Sequence, residues 1–314
     1  MKEVNTYIKN KNVLVTGHTG FKGSWLCLLL NKLGANITGI SLEPYTLKDN
    51  FILCELENLV DSHILDLREK QKLVRLYNKI SPDIIFHLAA QPLVRYSYDH
   101  PTETFDVNMN GTINILECAR SHGKPVDIIV VTSDKCYENK EWSLGYRETD
   151  RLGGHDPYSA SKSAVEIICN SYRSSFFYDY LNPATRITLA TARAGNVIGG
   201  GDWQLDRIIP DCIKSIEENT PIKVRNPNSI RPWQHVLEPL YGYILLAMHL
   251  NINPMEYASA WNFGPGNSNN RTVSALVKQL ISDYGKGSWI ENHDPDHKHE
   301  TERLILDNNK SVTQ

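Results

Sequence analysis

Tyr158 and Lys162, in the segment PYSASK, form a Tyr-x-x-x-Lys pair whose residue types and spacing could support proton transfer. A tyrosine has an ordinary pKa of about 10, so it needs a nearby cation to act as a base near neutral pH. A lysine four residues later lies on the same face of a helix and can supply that charge. The pair indicates a base acting on an alcohol, and a capped surface helix is the structural alternative.

A second group of residues, TGHTGFKG, follows the short apolar run NVLVT (12–16) near the start of the chain. Glycines there would let the backbone turn tightly and approach a pyrophosphate, which would rest on N–H groups at the positive end of the next helix. A plain strand-to-helix turn is the alternative. The loop residues that we expect to contact a dinucleotide are Gly17, Thr19, Gly20, Phe21, Lys22 and Gly23. Together with the Tyr-Lys pair, this loop indicates redox chemistry on a bound nicotinamide.

The third group lies in the segment VVTSDKCY, where Ser133, Asp134 and Lys135 follow an apolar run. A hydroxyl, a carboxylate and an amine in succession have the composition of an acid/base constellation. Such a constellation separates this chain from an ordinary alcohol dehydrogenase. We interpret the next residue, Cys136, as a small packing side chain.

These groups need a scaffold, and the chain alternates apolar runs with helical patterns as a parallel sheet requires. The predicted strands cover 12–16, 36–42, SHILDL up to residue 66, 83–90, 126–134 and 187–199. The predicted helices of this part include 67–80, 102–122 and 156–176. The pattern predicts an α/β fold, a Rossmann-type doubly wound parallel sheet with a smaller C-terminal substrate-binding lobe. We expect residues 1–186 to form the dinucleotide domain, with 233–262 returning to it, and 187–232 and 263–314 to form the lobe.

The residue after the second strand normally distinguishes the two nicotinamide cofactors, because an acid binds the ribose 2′-OH and a basic residue binds a 2′-phosphate. This chain has Ser41 where the acid is expected, and no arginine stands beside it. NAD is therefore favoured, while Lys22 in the loop leaves NADP open. Asp66 could accept a hydrogen bond from the adenine amino group, or it could cap a helix that begins at Leu67.

Composition limits the possible partners of the chain. A net charge of −3 does not favour nucleic acid, and no stretch approaches the ~20 apolar residues that span a bilayer. Six scattered cysteines without a CxxC pair indicate reduced thiols, so we expect a cytoplasmic protein. The polar segment 291–300 has no recognised metal-ligand spacing, so we expect a solvated loop and no metal there. Its possible ligands are His293, Asp294, His297 and His299.

Four motifs carry a family resemblance: the loop TGHTGFKG described above, HLAA (87–90), VNMNGT (107–112) and RAGNVIGGGDW. With them the chain resembles, over nearly its whole length, the extended short-chain dehydrogenases/reductases that act on nucleotide sugars. Within these enzymes it most closely resembles the CDP-glucose 4,6-dehydratases. That similarity rests on GHTGFKGSWL, HLAAQPLVR, TSDKCYEN, GGHDPYSASK and RPWQHVLEPL.

The resemblance implies a redox-neutral elimination on CDP-glucose, with oxidation at C4, loss of the C5 proton and of the C6 hydroxyl, and reduction at C6. Tyr158, assisted by Lys162 and Ser133, would take the C4 hydroxyl proton, and Asp134 would protonate the departing C6 oxygen. Lys135 stands where related dTDP-glucose dehydratases have a glutamate. Lys135 would be the C5 base, or a fixed ammonium that stabilises the enolate.

The resemblance also implies further contacts. It adds to the cofactor site Leu67, Leu88, Ala89, Ala90 and Asn108, and assigns Gln91 and Arg95 to the hexose. Asn196 and Arg231 would bind the diphosphate, and a structural ion pair is the alternative for Arg231. A homodimer or a higher homo-oligomer, paired through helices 102–122 and 156–176, is implied as well. Because such enzymes usually continue through a Leu-Gly-Trp segment and closing helices, we expect part of the lobe to lie beyond Gln314.

Three rival functions remain at this point. A 4-epimerase would use the same Tyr158 and Lys162 but would not need Asp134 and Lys135. A 4,6-dehydratase of another nucleotide sugar would share the Tyr-Lys pair and the acid, and the nucleotide that protects the fold from heat would distinguish it. A regulator that binds the dinucleotide without catalysis commonly loses the tyrosine or the lysine, and both are present here.

Overall fold

The computed structural model describes residues 2–266, 270–292 and 301–314. Its strands, in chain order, are β1 (Asn12–Thr16), β2 (Asn36–Ser41), β3 (Asp61–Ile64), β4 (Ile84–His87), β5 (Val126–Val131), β6 (Ile187–Ala194), β7 (Val197–Ile198), β8 (Ile222–Val224), β9 (Ile230–Pro232), β10 (Gln234–His235), β11 (Ala260–Phe263), β12 (Asn270–Thr272) and β13 (Trp289–Glu291). Its helices are α1 (Lys2–Ile8), α2 (Phe21–Lys32), α3 (Asn50–Leu53), α4 (Lys70–Ile80), α5 (Val94–Asp99), α6 (Pro101–Phe105), α7 (Gly111–His122), α8 (Pro157–Ser175), α9 (Ile208–Glu217), α10 (Leu237–Ile252), α11 (Pro254–Tyr257), α12 (Val273–Tyr284) and α13 (Asn309–Thr313).

A seven-stranded sheet in the order β11-β6-β5-β4-β1-β2-β3 forms the centre of the protein. Every neighbouring pair in it is parallel. Strands β4, β5 and β6 are buried at every residue, as strands with helices on both faces must be. The order confirms the predicted Rossmann-type doubly wound sheet, with β11 added at the edge beside β6.

Two apolar layers cover the sheet because successive strand residues point to opposite faces. Val13 and Val15 pack with α2 and α10 on one face. Leu14, between them, packs with α4, α7 and α8 on the other. The alternation along β1 thus fixes which helices lie on each side, and α8, which carries the Tyr-Lys pair, lies beside β5 and β6.

Two predicted helices differ from the structure. The helix expected from residue 67 begins only at Lys70, because Arg68 folds back and its side chain pairs with Asp66. Asp66 therefore does not cap that helix. The helix expected over 102–122 is interrupted by a π-helical turn, Asp106–Asn110, between α6 and α7.

A smaller lobe follows β6. It contains the strand pairs β13 with β8 and β12 with β9, and its apolar core joins α9, β8 and α12. A further parallel pair joins β7 to β10. The lobe thus begins where β6 ends, at the edge of the sheet that carries the predicted catalytic groups.

The predicted domain boundary at residue 187 cuts through the sheet, because β6 is bonded to β5 on one side and to β11 on the other. Helix α10 also packs into the core against β5 and β6. We therefore propose that the boundary falls after Ala194 and that residues 237–263 belong with the sheet.

The described part of the chain has no helix that combines the length and the apolar character required to cross a membrane.

Candidate active site

A cleft of about 600 Å³ opens at the carboxyl edge of the sheet, between the sheet and the smaller lobe. Open α/β sheets place ligands at this edge, where the strand order reverses. The cleft brings together most of the predicted site residues. Those that line it are Gly17, Thr19, Gly20, Phe21, Lys22, Gly23, Ser41, Asp66, Leu67, Leu88, Ala89, Ala90, Arg95, Ser133, Asp134, Lys135, Tyr158, Lys162, Asn196 and Arg231.

The glycine-rich loop turns so tightly that side chains would not fit at two of its positions. Gly17 has a φ of +76°, and a Cβ there would lie 2.8 Å from the Ala89 nitrogen. A Cβ on Gly23 would lie 2.0 Å from the Gly17 oxygen. The backbone of this loop therefore forms the wall of the cleft at the N-terminus of α2, as a pyrophosphate site requires.

The ribose end of the cleft lies beside β2. The Ser41 hydroxyl is 2.7 Å from that of Thr19, which donates to the Leu42 carbonyl. Glu43, two residues after Ser41, also lines the cleft and places a carboxylate there. The Arg68 guanidinium holds Asp66 in an ion pair with three hydrogen bonds, and this pair lowers the pKa of Asp66. An acid at the end of β2 is therefore present, although it is two positions later than expected.

The segment after β5 forms a short helical turn, Asp134–Cys136, and Ser133 caps it by accepting a hydrogen bond from the Lys135 N–H at 3.2 Å. The Ser133 hydroxyl donates to Asp134 Oδ1 at 3.0 Å. Asp134 is only 3% exposed, and its Oδ2 has no hydrogen-bond partner among the described residues. The turn therefore holds a carboxylate with one oxygen hydrogen-bonded to Ser133 and the other buried without a partner in the described part of the chain.

Tyr158 and Lys162 lie at the start of α8, where Pro157 is at the first turn and Asp156 caps the helix through the Ser159 N–H, as predicted. Burial raises the pKa of Tyr158 to about 12, and the Ser133 side chain opposes this through a hydrogen bond. The role expected for the Lys162 charge stays a prediction. Desolvation dominates, and the Lys162 ammonium group donates to the Val131 carbonyl at 3.3 Å.

Two ammonium groups lie in the floor of the cleft. Burial lowers the pKa of Lys162 to about 8, and the Glu166 carboxylate opposes this effect. Burial and the nearby Arg207 likewise lower the pKa of Lys22 to about 8, whereas Asp134 and Asp202 raise it. The phosphate-loop lysine is thus close enough to Asp134 for their charges to interact.

The structure does not bring Gln91 and Asn108 to the cleft surface in the part of the chain that it describes. The Gln91 amide donates to the Thr104 hydroxyl and the Leu93 carbonyl, and its oxygen accepts from the Leu93 N–H. Asn108, in the π-helical turn, accepts from the Gln91 N–H at 2.8 Å and donates to the Ser161 hydroxyl at 2.8 Å. Both side chains hold the loop after β4 against α8.

The cations expected on the substrate side do line the cleft. The Arg231 guanidinium, on β9, donates to the Ile230, Thr301 and Glu302 carbonyls. Arg95 lies 3.8 Å from Asp206. Two of these bonds tie the Arg231 side chain to the backbone of another segment of the lobe.

Sequence reasoning missed several charged residues of the cleft. They are Glu43, Asp202, Asp206, Arg207, Asp211, Lys223 and Arg225. Most of them follow β6 in irregular segments, where the chain has no periodic pattern that would indicate which side chains face a ligand. Asp202 follows the GGG run directly, and that glycine-rich exit was the available signal.

No cluster of three or more possible metal ligands occurs within residues 2–266, 270–292 and 301–314. The possible ligands His293, Asp294, His297 and His299 lie outside the described residues. Cys136 is fully buried and packs with Tyr137, Tyr146, Leu304 and Leu306, which confirms its interpretation as a packing residue.

Two solved structures share this fold. The dTDP-glucose 4,6-dehydratase DesIV of Streptomyces venezuelae, solved with NAD and TYD bound, has a TM-score of 0.80 at 22% identity, covering 96% of this chain and 90% of that one. The UDP-glucose 4-epimerase of Thermus thermophilus, solved with NAD, has a TM-score of 0.81 at 22% identity, covering 96% and 92%.

Sequence comparison is more specific. The CDP-glucose 4,6-dehydratase of Salmonella typhimurium is 46% identical over 311 residues, which cover 98% of this chain and 85% of the relative. The family model described as GDP-mannose 4,6 dehydratase matches residues 14–311. The chain therefore belongs to the GDP-mannose 4,6 dehydratase family, among the extended short-chain dehydrogenases/reductases that its motifs indicate.

Proposed function

We propose that this chain is an NAD-dependent 4,6-dehydratase that converts CDP-glucose to CDP-4-dehydro-6-deoxy-glucose. The nucleotide and the sugar are taken from the 46% identical Salmonella relative. The reaction class is supported by one observation above all, the buried Asp134 carboxylate beside Ser133 and Tyr158, whose Oδ2 has no hydrogen-bond partner among the described residues. A 4-epimerase needs the tyrosine and the lysine but has no use for this acid.

The cleft fits a dinucleotide in its shape and in its donors. The backbone of Gly17–Gly23 would hold the pyrophosphate, and the Glu43 carboxylate would accept hydrogen bonds from the ribose hydroxyls. A negative charge there disfavours a 2′-phosphate, so NAD is preferred to NADP. When bound, the nicotinamide supplies the oxidation of C4 and the later reduction of C6. The Streptomyces and Thermus enzymes of the same fold were both solved with NAD.

Tyr158 takes the proton of the C4 hydroxyl, and the Ser133 side chain, hydrogen-bonded to it, orients the two oxygens. Burial holds the pKa of Tyr158 at about 12, so the base must be prepared by positive charge. Lys162, four residues along α8, supplies such a charge while its ammonium group remains protonated.

Lys135 removes the C5 proton once C4 is a ketone, because the ketone makes that proton acidic. Asp134 then donates a proton from Oδ2 to the departing C6 oxygen, and water leaves. Lys135 returns its proton to C5 as C6 is reduced, and the proton that Tyr158 took from the C4 hydroxyl restores Asp134. Asp134 is almost fully buried, so bulk water cannot replace it as the acid. Arg231 and Asn196 bind the diphosphate, and Arg95 contacts the hexose. Gln91 and Asn108 act indirectly, by holding the loop after β4 that leads to Arg95.

We also propose that the enzyme is a cytoplasmic homodimer. All six cysteines are free thiols, which suits a reducing compartment. Helices α7 and α8 would pair with their copies, and α8 presents Ile167, 59% exposed, on its outer face.

The function is tested by incubating the purified protein and NAD with CDP-glucose, and separately with the dTDP, UDP and GDP sugars. Mass spectrometry should show the loss of one water from the CDP sugar. A preference for another nucleotide would keep the mechanism and overturn the substrate. Turnover to CDP-galactose without loss of water would identify an epimerase.

A further inference from the structure

A buried ion pair lies beneath the proposed catalytic groups and is not part of the mechanism above. Glu166 follows Tyr158 and Lys162 on α8 at four-residue steps, so all three side chains lie on one helix face. Its carboxylate pairs with Arg193 on β6 at 2.9 Å, and the two side chains are 1% and 4% exposed. An isolated charge at such a depth would be strongly destabilising, so each residue requires the other.

Glu166 connects three elements of the site. It accepts hydrogen bonds from the hydroxyls of Thr132 at 2.5 Å and Thr191 at 2.8 Å. Thr132 directly precedes Ser133, and Thr191 lies on β6. One carboxylate therefore joins the helix of the Tyr-Lys pair to the start of the Ser133–Lys135 turn.

Arg193 holds the other end of the same turn. Its guanidinium donates to the Tyr137 hydroxyl at 2.8 Å and to the Glu148 carbonyl at 3.1 Å, and it lies 4.9 Å from the centre of the Tyr137 ring. The Tyr137 hydroxyl in turn donates to Asn262 on β11 at 2.7 Å. Thr132 and Tyr137, which flank the reactive turn on both sides, are thus fixed by a single ion pair.

We propose that Glu166 and Arg193 are positioning residues that set the distance between the Ser133–Lys135 turn and the Tyr158–Lys162 pair. This inference rests on the proposed function, in which both groups act on one sugar ring. Elimination needs Tyr158 at C4 and Asp134 at C6 at the same time, and misplacement by about 1 Å can cost on the order of 100-fold in rate. The ion pair is the shared anchor from which both groups are placed.

Two neutral substitutions loosen the turn without unpairing a charge. Thr132→Val removes the bond to Glu166, and Tyr137→Phe removes the bonds to Arg193 and Asn262. Matched controls exist at the opposite end of β5, where Thr188 and Tyr7 donate to the buried carboxylate of Asp127. Thr188→Val and Tyr7→Phe remove bonds of the same kind far from the reacting groups.

We expect Thr132→Val and Tyr137→Phe each to lower kcat about tenfold with KM changed less than about twofold. The two control variants should keep kcat within about twofold of the wild type, although all four should lower the melting temperature. A merely structural role would give equal, small effects on kcat in tests and controls. That result would overturn the proposal.

Hydrogen exchange gives a readout that needs no substrate. The N–H groups of Lys135 and Cys136 bond to Ser133 within the turn, so peptides covering 133–137 should exchange faster in the two test variants and not in the controls. Unchanged exchange would also overturn the proposal. If the wild type fails on CDP-glucose while the exchange difference persists, the proposed function is wrong and the positioning of the turn stands.

Discussion

Asp134→Asn is the substitution that separates the two halves of the proposed reaction. Asparagine has the shape of aspartate and keeps an oxygen that can accept the 3.0 Å hydrogen bond from Ser133. Its amide has no acidic proton to give to a departing oxygen. Oxidation at C4, which uses Tyr158, should therefore survive, whereas expulsion of the C6 hydroxyl should not.

The size of the effect follows from the burial of this side chain. A positioned general acid contributes roughly 10²- to 10⁴-fold, which corresponds to about 3 to 5 kcal/mol of transition-state stabilisation. Because Asp134 is only 3% exposed, water cannot easily take over the role, and we expect the upper part of that range for dehydration. Oxidation at C4 should change by less than about tenfold.

The assay is a single-turnover mixture of enzyme, NAD and CDP-glucose, followed by absorbance of the reduced cofactor and by mass spectrometry. Asp134→Asn should accumulate reduced cofactor and a 4-keto hexose nucleotide that still contains its C6 oxygen. Tyr158→Phe should accumulate neither, and Asp127→Asn, a buried acid at the far end of the same strand, should dehydrate normally when folded. Dehydration at the wild-type rate in Asp134→Asn would refute the assignment.

Three other substitutions test separate parts of the account. Lys135→Arg keeps the positive charge, but its guanidinium stays protonated and cannot accept a proton. This variant should therefore lose about 100-fold in product formation, as Lys135→Gln should. A fully active Lys135→Arg would instead identify a fixed charge. Gly23→Ala should abolish NAD binding in a calorimetric titration, because its Cβ would lie 2.0 Å from the Gly17 oxygen. Gly200→Ala should bind NAD normally, because a Cβ at Gly200 would have no atom within 4 Å. Equal affinities of the two variants would contradict the loop assignment. Burial lowers the pKa of Lys162 from 10.5 in the unfolded chain to about 8 in the folded protein. Between these pH values the unfolded chain holds more protons at this site. The stability of the wild type should therefore rise with pH relative to that of Lys162→Met, by up to roughly 3 kcal/mol. Urea unfolding of both proteins at about pH 7 and about pH 10 checks this, and a constant difference would show that Lys162 is not desolvated.

The fold could be predicted from the chain because each motif is local. Gly17 and Gly23 need no knowledge of distant residues to indicate a tight turn after a strand, and the steric contacts of both are satisfied only by glycine. The strand order follows from alternating strands and helices, since parallel strands require right-handed crossovers. The added edge strand β11, near the end of the chain, had a weaker signal, because WNFGPG (261–266) indicates only a short strand and a turn.

The site was harder to predict where a side chain has several possible partners. Gln91 and Asn108 lie at motif positions, yet both side chains make structural bonds. The Gln91 amide donates to Thr104, and the Asn108 amide donates to Ser161 and accepts from the Gln91 N–H. The pKa of Tyr158 could not be inferred from the spacing to Lys162, because desolvation of the hydroxyl depends on the complete packing of the cleft. The Glu166–Arg193 pair was missed for a similar reason: the two residues are far apart in sequence, and only the fold brings them together.

The central claim is a redox-neutral dehydration within one active site, and a deuterium label tests it most directly. CDP-glucose labelled with deuterium at C4 should give a product that has lost one water and carries the label at C6, as NMR and mass spectrometry would show. Label that returns to C4 without loss of water, or that disappears into solvent, would contradict the account.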